Sequence, residues 1–163
     1  MGKKRGVTLI ELVIALTISV GIMGILVVTY VAGSRIFNAE MDRSASFLEA
    51  NKAVNALRSD LRSCLELTNA SSTSISFWAE DLNSNGTKEA GEIYAYSWNG
   101  TPGSPLIRTV SGNNTMVAKN INNLLFTYNS GSLPSITQVD IKIVAGTSVN
   151  IATFESSIKL RNI

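Results

Sequence analysis

A predominantly apolar run without a charge, from Leu12 to Ala32, constrains this chain more than any other feature. It is about 21 residues long, or roughly 31 Å as α-helix, which is enough to cross a bilayer. Lys3, Lys4 and Arg5 lie just before it, so this flank is expected to stay cytoplasmic and the remainder to lie on the far side. One residue does not fit a plain anchor. Glu11 places a carboxylate at the cytoplasmic edge of the run, and no Lys, Arg or His lies between Val7 and Gly33 to pair with it. A charge at the centre of a spanning helix costs about 2.5–3.5 kcal/mol on insertion scales, and less near the interface.

With 163 residues, the chain holds one small domain plus a membrane element. Beyond residue 33 it is polar, rich in Ser, Asn, Thr and Gly. The net charge of +2 comes from 14 basic and 12 acidic side chains, and without Lys3, Lys4 and Arg5 it falls to −1. No basic patch interleaved with aromatics suggests nucleic-acid binding. Histidine is absent, which removes the commonest general base and metal ligand. The single cysteine, Cys64, rules out an intrachain disulfide. Nothing in this inventory proposes an enzyme.

From Ser34 to about Leu67 there is no Pro or Gly, and apolar residues recur at helical spacing. Phe37, Met41, Leu48, Val54, Leu57, Leu61 and Leu65 fall near one stripe. We therefore expect one helix from about Thr8 to about Leu67, apolar at first and amphipathic later, stopped by Thr68–Ser72. Cys64 belongs to the buried stripe as a small core residue, with a reactive or intermolecular thiol as the alternative.

Short apolar or alternating runs follow, separated by Asn, Gly, Ser and Pro. Expected strands are Ser74–Ala79, Ile93–Trp98, Pro105–Val110, Met116–Ala118, Ile121–Tyr128, Ile136–Val144 and Val149–Leu160, with turns at Gly100, Gly103, Gly112, Gly131 and Gly146. The fold class is α+β: a long N-terminal helix packed on an antiparallel sheet, with Leu57, Leu61 and Leu65 facing it. Trp78, Trp98, Phe126, Tyr128 and Phe154 read as core or sheet-face residues.

Residues 81–92 have the pattern of a twelve-residue calcium loop. Asp81, Asn83 and Asn85 stand at alternate positions, Gly86 makes the turn and Glu92 closes it; Thr87 offers a carbonyl and Glu89 a water-mediated contact. The same composition suits a long polar hairpin connection, because Asn, Asp and Gly are turn residues. The flanks read as strands, so this is not a helix–loop–helix hand.

Gly6-Val7-Thr8-Leu9-Ile10-Glu11-Leu12 resembles the signal motif of type IV prepilins and type II secretion pseudopilins. The resemblance implies removal of residues 1–6 by a prepilin peptidase, with cleavage between Gly6 and Val7 and N-methylation of Val7. Thr8, Leu9 and Glu11 would then serve assembly, Glu11 meeting the new α-amino group of a neighbouring subunit. Val7 stands where the family most often has Phe, and the helix lacks the mid-helix proline of many major pilins. Phe77–Gly86, Tyr94–Tyr96, Leu124–Tyr128 and Ser157–Asn162 are similar to segments of J-type minor pseudopilins and related minor pilins.

The implied organisation is a leader at 1–6, a membrane and assembly helix at 7–33, its amphipathic continuation at 34–67 and a β-rich extracytoplasmic domain at 73–163. The implied function is a minor pilin or pseudopilin that primes or caps a filament at the bacterial inner membrane. Its partners would be the peptidase, other subunits, the assembly platform and secreted cargo. A major pilin, a competence pseudopilin and a membrane-anchored binding or adhesion domain are the alternatives.

Overall fold

A computed structural model of the chain describes residues 6–146 and 150–160. The chain divides into two compact units, Met1–Glu40 and Met41–Ile163. In the first, the residues from Leu9 onward belong to one α-helix, α1, which runs Leu9–Arg62. Its apolar side chains are bare: Leu9, Leu16, Val20, Ile25 and Val28 each expose more than half of their surface. A helix apolar all round needs an apolar surround, and α1 is long and apolar enough to cross a membrane. The hydroxyls of Thr17, Ser19 and Thr29 donate to the carbonyls of Ile14, Ala15 and Ile25, so they are satisfied within the helix.

In the second unit, the remaining turns of α1 pack on a seven-stranded antiparallel sheet. The strands are β1 (Glu66–Ala70), β2 (Ser74–Trp78), β3 (Ile93–Ser97), β4 (Ser104–Val110), β5 (Asn113–Tyr128), β6 (Gln138–Gly146) and β7 (Ile151–Lys159). They form a meander in which each strand neighbours the next. A 3-10 turn, Leu133–Ser135, joins β5 to β6. The sheet curls: Phe126 N donates to Ser72 O at 2.9 Å and Tyr128 Oη to Ser71 O at 2.8 Å, which brings the β1–β2 turn onto β5. Between β4 and β5, Ser111 and Gly112 both take positive φ (53° and 78°), as a two-residue type I′ hairpin requires.

Alternation along the strands turns Ile75, Phe77, Val139, Ile141 and Ile143 inward, where Ala50, Ala53, Val54, Leu57 and Leu61 of the helix are buried in the same core. Burying a leucine such as Leu57 contributes about 1.5–3 kcal/mol. Trp98 and Phe126 are buried; Trp78, Tyr128 and Phe154 are half-buried, as core or sheet-face residues should be.

The structure departs from the sequence-based expectations in three places. First, α1 stops at Arg62, not near Leu67. Ser63 N and Cys64 N bond three residues back, to Asp60 O and Leu61 O, which tightens the last turn. Leu65 N then donates to Trp78 O at 2.8 Å, and Glu66–Ala70, expected to end the helix, becomes an edge strand paired with β2. Second, the buried stripe is shifted. Phe37, Met41 and Leu48 are exposed, and Leu65 lies beyond the helix, while Ala50 and Ala53 are wholly buried. Third, Met116–Ala118 and Ile121–Tyr128 are parts of one strand. Asn120 takes φ 52° and the register shifts between Ile121 and Asn123, so the break is a local irregularity. Val149 at the start of the last expected strand lies outside the described residues, as do Arg161 and Asn162.

Candidate functional site

The sequence singles out two places, the start of α1 and the loop between β2 and β3. At the first, Gly6, Val7 and Thr8 precede the helix and are exposed, and Leu9 opens it. Glu11 Oε2 accepts two hydrogen bonds from Thr8, one from its backbone N–H and one from its hydroxyl, each at 2.8 Å. Thr8 Oγ1 in turn receives the N–H of Glu11 at 3.4 Å. This is a capping box, in which the side chains of the N-cap and the third helical residue satisfy each other's orphan donors. Thr-x-x-Glu before an apolar run is its sequence signature, so the capping role of Glu11 was readable beside its charge. The carboxylate thus has a neutral partner within its own chain. Lys3, Lys4 and Arg5 lie outside the described residues.

In the loop, Asp81, Asn83, Asn85, Thr87, Glu89 and Glu92 come together in one chain segment. Glu92 is the surprise: it is buried, at 2% exposure, while most of the loop is exposed. Its Oε1 accepts Leu82 N at 2.8 Å, and its Oε2 accepts Trp78 Nε1 at 3.1 Å and Glu89 N at 3.3 Å. Asp81 accepts the N–H groups of Asn85 and Gly86 through its two oxygens. Asn83 and Asn85 both donate their amides to Glu89 Oε1, at 3.1 and 3.0 Å. Asn85 Oδ1 accepts both the N–H and the hydroxyl of Thr87. Much of this oxygen set accepts donors from the loop itself: backbone N–H groups at Asp81 and Glu92, side-chain amides at Glu89. Among the described residues, no three of His, Cys, Asp and Glu are set to hold a metal ion.

No family model, curated protein or solved structure matches the chain.

Elsewhere, Cys64 is fully buried and burial pushes its thiol up to about 12, so little reactive thiolate forms. A polar cluster not visible in the sequence joins α1 to the sheet. Asp60 Oδ2 accepts the Tyr96 hydroxyl at 2.7 Å and lies 2.7 Å from Arg108 Nε. The Nε–H is not aimed at that oxygen, so this contact is an ion pair more than a hydrogen bond. The Arg108 guanidinium lies 4.4 Å over the Tyr94 ring. Burial is the main reason the Tyr96 hydroxyl is driven far above the ordinary phenol range, with Asp60 adding to it. The arrangement anchors the helix to the sheet.

Proposed function

We propose that the chain is a membrane-anchored filament subunit of the type IV pilin or pseudopilin kind, and within it a minor subunit that primes or caps assembly. The observation that carries this reading is a helix whose first half is apolar on every side and yet begins at a carboxylate. A lone bilayer satisfies the apolar surface but not the charge of Glu11. A bundle of like helices satisfies both, provided each Glu11 meets a cation from a neighbour. The Gly6–Val7 junction supplies one, because cleavage there creates an α-amino group one residue before Thr8.

On this reading the prepilin peptidase cuts after Gly6 and methylates Val7. The first unit then leaves the bilayer for a helical bundle, and the sheet domain is displayed on the far side of the inner membrane. Such a subunit has no catalytic residues. Its partners are other subunits, the assembly platform and, at a filament tip, exported cargo.

Intact mass and N-terminal sequencing of the membrane-derived protein, made with a prepilin peptidase present, test the proposal. A chain that begins at N-methylated Val7 and keeps the apolar helix is expected. A chain that still begins at Met1 reduces the protein to an anchored β domain. A start beyond Ala32 makes it a secreted protein and ends the filament reading.

A further inference from the structure

The two edges of the sheet differ. β1 has five residues, its register shifts between Leu67 and Asn69, and the 3-10 turn lies beside it. β7 has nine, contains no proline, pairs with β6 without a shift and, among the described residues, has no strand on its other side. A long regular edge is a template for another strand.

The alternation of an antiparallel ladder tells which backbone groups are free. Leu160 N donates to Thr137 O, which makes those two a hydrogen-bonded pair. Counting by twos along the register, Ile158, Ser156, Phe154 and Ala152 also direct their N–H and C=O groups to β6. The corresponding groups of Ile151, Thr153, Glu155, Ser157 and Lys159 therefore point away from the sheet.

Side chains of α1 flank this edge. Phe47 packs on Phe154 with ring centroids 4.9 Å apart, and Arg58 Nη2 donates to Ser156 Oγ at 3.0 Å. Farther along, Arg58, Arg62, Ser157, Lys159 and Leu160 line a groove. Among the described residues, ion pairs engage Lys52, Lys88, Arg108 and Lys142, and none engages Arg58, Arg62 or Lys159. Glu155, the one acid on β7, is paired with Lys142 at 2.7 Å.

We propose that the β7 edge binds an extended acidic segment of a partner protein, which adds an eighth strand and sets its carboxylates on Arg58, Arg62 and Lys159. In strand addition the main chain supplies affinity and the alternate side chains supply selectivity. Charge selects the occupant. A second β7 in full antiparallel register would set Glu155 against Glu155, which is unfavourable, and would leave the cations unanswered. An acidic strand answers all of them. The inference uses residues of the second unit alone and stands whether or not the chain enters a filament.

The test is a titration of the ¹⁵N-labelled full chain in detergent micelles with a peptide of about eight residues built from Val and Asp, with adjacent Asp residues so that both faces of the added strand carry carboxylates, and with its Lys-for-Asp counterpart. The amides of Thr153, Glu155 and Ser157 should shift and exchange more slowly with the acidic peptide only. Thr153→Pro deletes an outward N–H without touching the β6 ladder and should weaken binding about tenfold or more. The double change Arg62→Glu, Lys159→Glu alters exposed charges only, and should turn the preference toward the Lys peptide. An equal response to both peptides, or edge amides that ignore the acidic one, overturns the proposal. So do shifts of those amides that depend on protein concentration without peptide, because they would make a second copy the occupant.

Discussion

Gly146, at the end of β6, shows how much can rest on one missing methyl group. Its φ is +128°, and a Cβ there would run into Asn150 O and stand 2.7 Å from Ser46 Oγ. Ser46 is a buried serine on α1 whose hydroxyl faces both Asp42 O and Asn150 O, so the β6–β7 connection is fastened to the helix at this point. Gly146→Ala should therefore cost about 2 kcal/mol or more in denaturant unfolding. Gly131→Ala, where a Cβ meets nothing within 4 Å, should stay within about 0.5 kcal/mol of the parent. Equal losses at the two sites would show that the close approach at Gly146 is not maintained in solution. Glu92 makes a similar point about a carboxylate. Glu92→Gln keeps the shape but presents an amide donor to N–H groups that need an acceptor, and should cost about 1–3 kcal/mol. Because Glu92 is already committed to those donors, millimolar calcium should leave the unfolding midpoint and the Trp fluorescence of the parent protein unchanged. A calcium-dependent rise in stability would mean that the loop rearranges to turn Asp81, Glu89 and Glu92 toward the ion.

Between elements, polar side chains fasten α1 to the sheet, and one of them gives stability a pH dependence. Glu49 Oε1 accepts Lys52 Nζ and Oε2 accepts Lys119 N, each at 2.8 Å, which ties the helix to β5. Burial alone would raise the pKa of this carboxyl, but the bonds from Lys52 and the Lys119 backbone outweigh it and hold it below the ordinary 4.5. A depressed folded-state pKa contributes stability above the unfolded value and loses it as pH falls through the folded one. Unfolding free energy should thus decline as pH drops below about 4.5, and Glu49→Gln should flatten that decline. An unchanged acid limb in the variant would assign it to other carboxylates, Asp140 among them. How far these elements were legible in the sequence follows from which forces carry them. The apolar run, the helix and most strands are written in periodicity, and they occur within a few residues of where periodicity puts them. β1 is not, because Glu66–Ala70 has only Leu67 and Ala70 as apolar residues and becomes a strand through its pairing with β2. Ala50 and Ala53 do not stand out in the sequence because alanine adds little to an apolar pattern, although its small size allows close approach to the sheet. The Asp60, Tyr96 and Arg108 cluster joins residues far apart in sequence, and no local pattern announces it.

For the whole molecule, the question is whether Glu11 is a cap or a charge, because the structure shows it capping and the filament reading needs it ionised. Glutamine separates the two. At the third helical position Gln closes a capping box about as Glu does, so Glu11→Gln should leave the helix and its membrane insertion intact. It removes the negative charge that would meet the α-amino group of a neighbouring Val7. If the chain is a filament subunit, the variant should be cleaved and methylated normally, reach the membrane in parental amounts and fail to enter filaments when sheared fractions are compared. If the chain is an anchored binding domain, Glu11→Gln should be indistinguishable from the parent in every fraction. Glu11→Ala cannot make this distinction alone, since it removes the N3 half of the capping box and weakens the start of the helix whatever the function. The contrast between the two substitutions carries the argument. A defect shared by Gln and Ala assigns the residue to intersubunit charge pairing, and a defect confined to Ala assigns it to the start of its own helix.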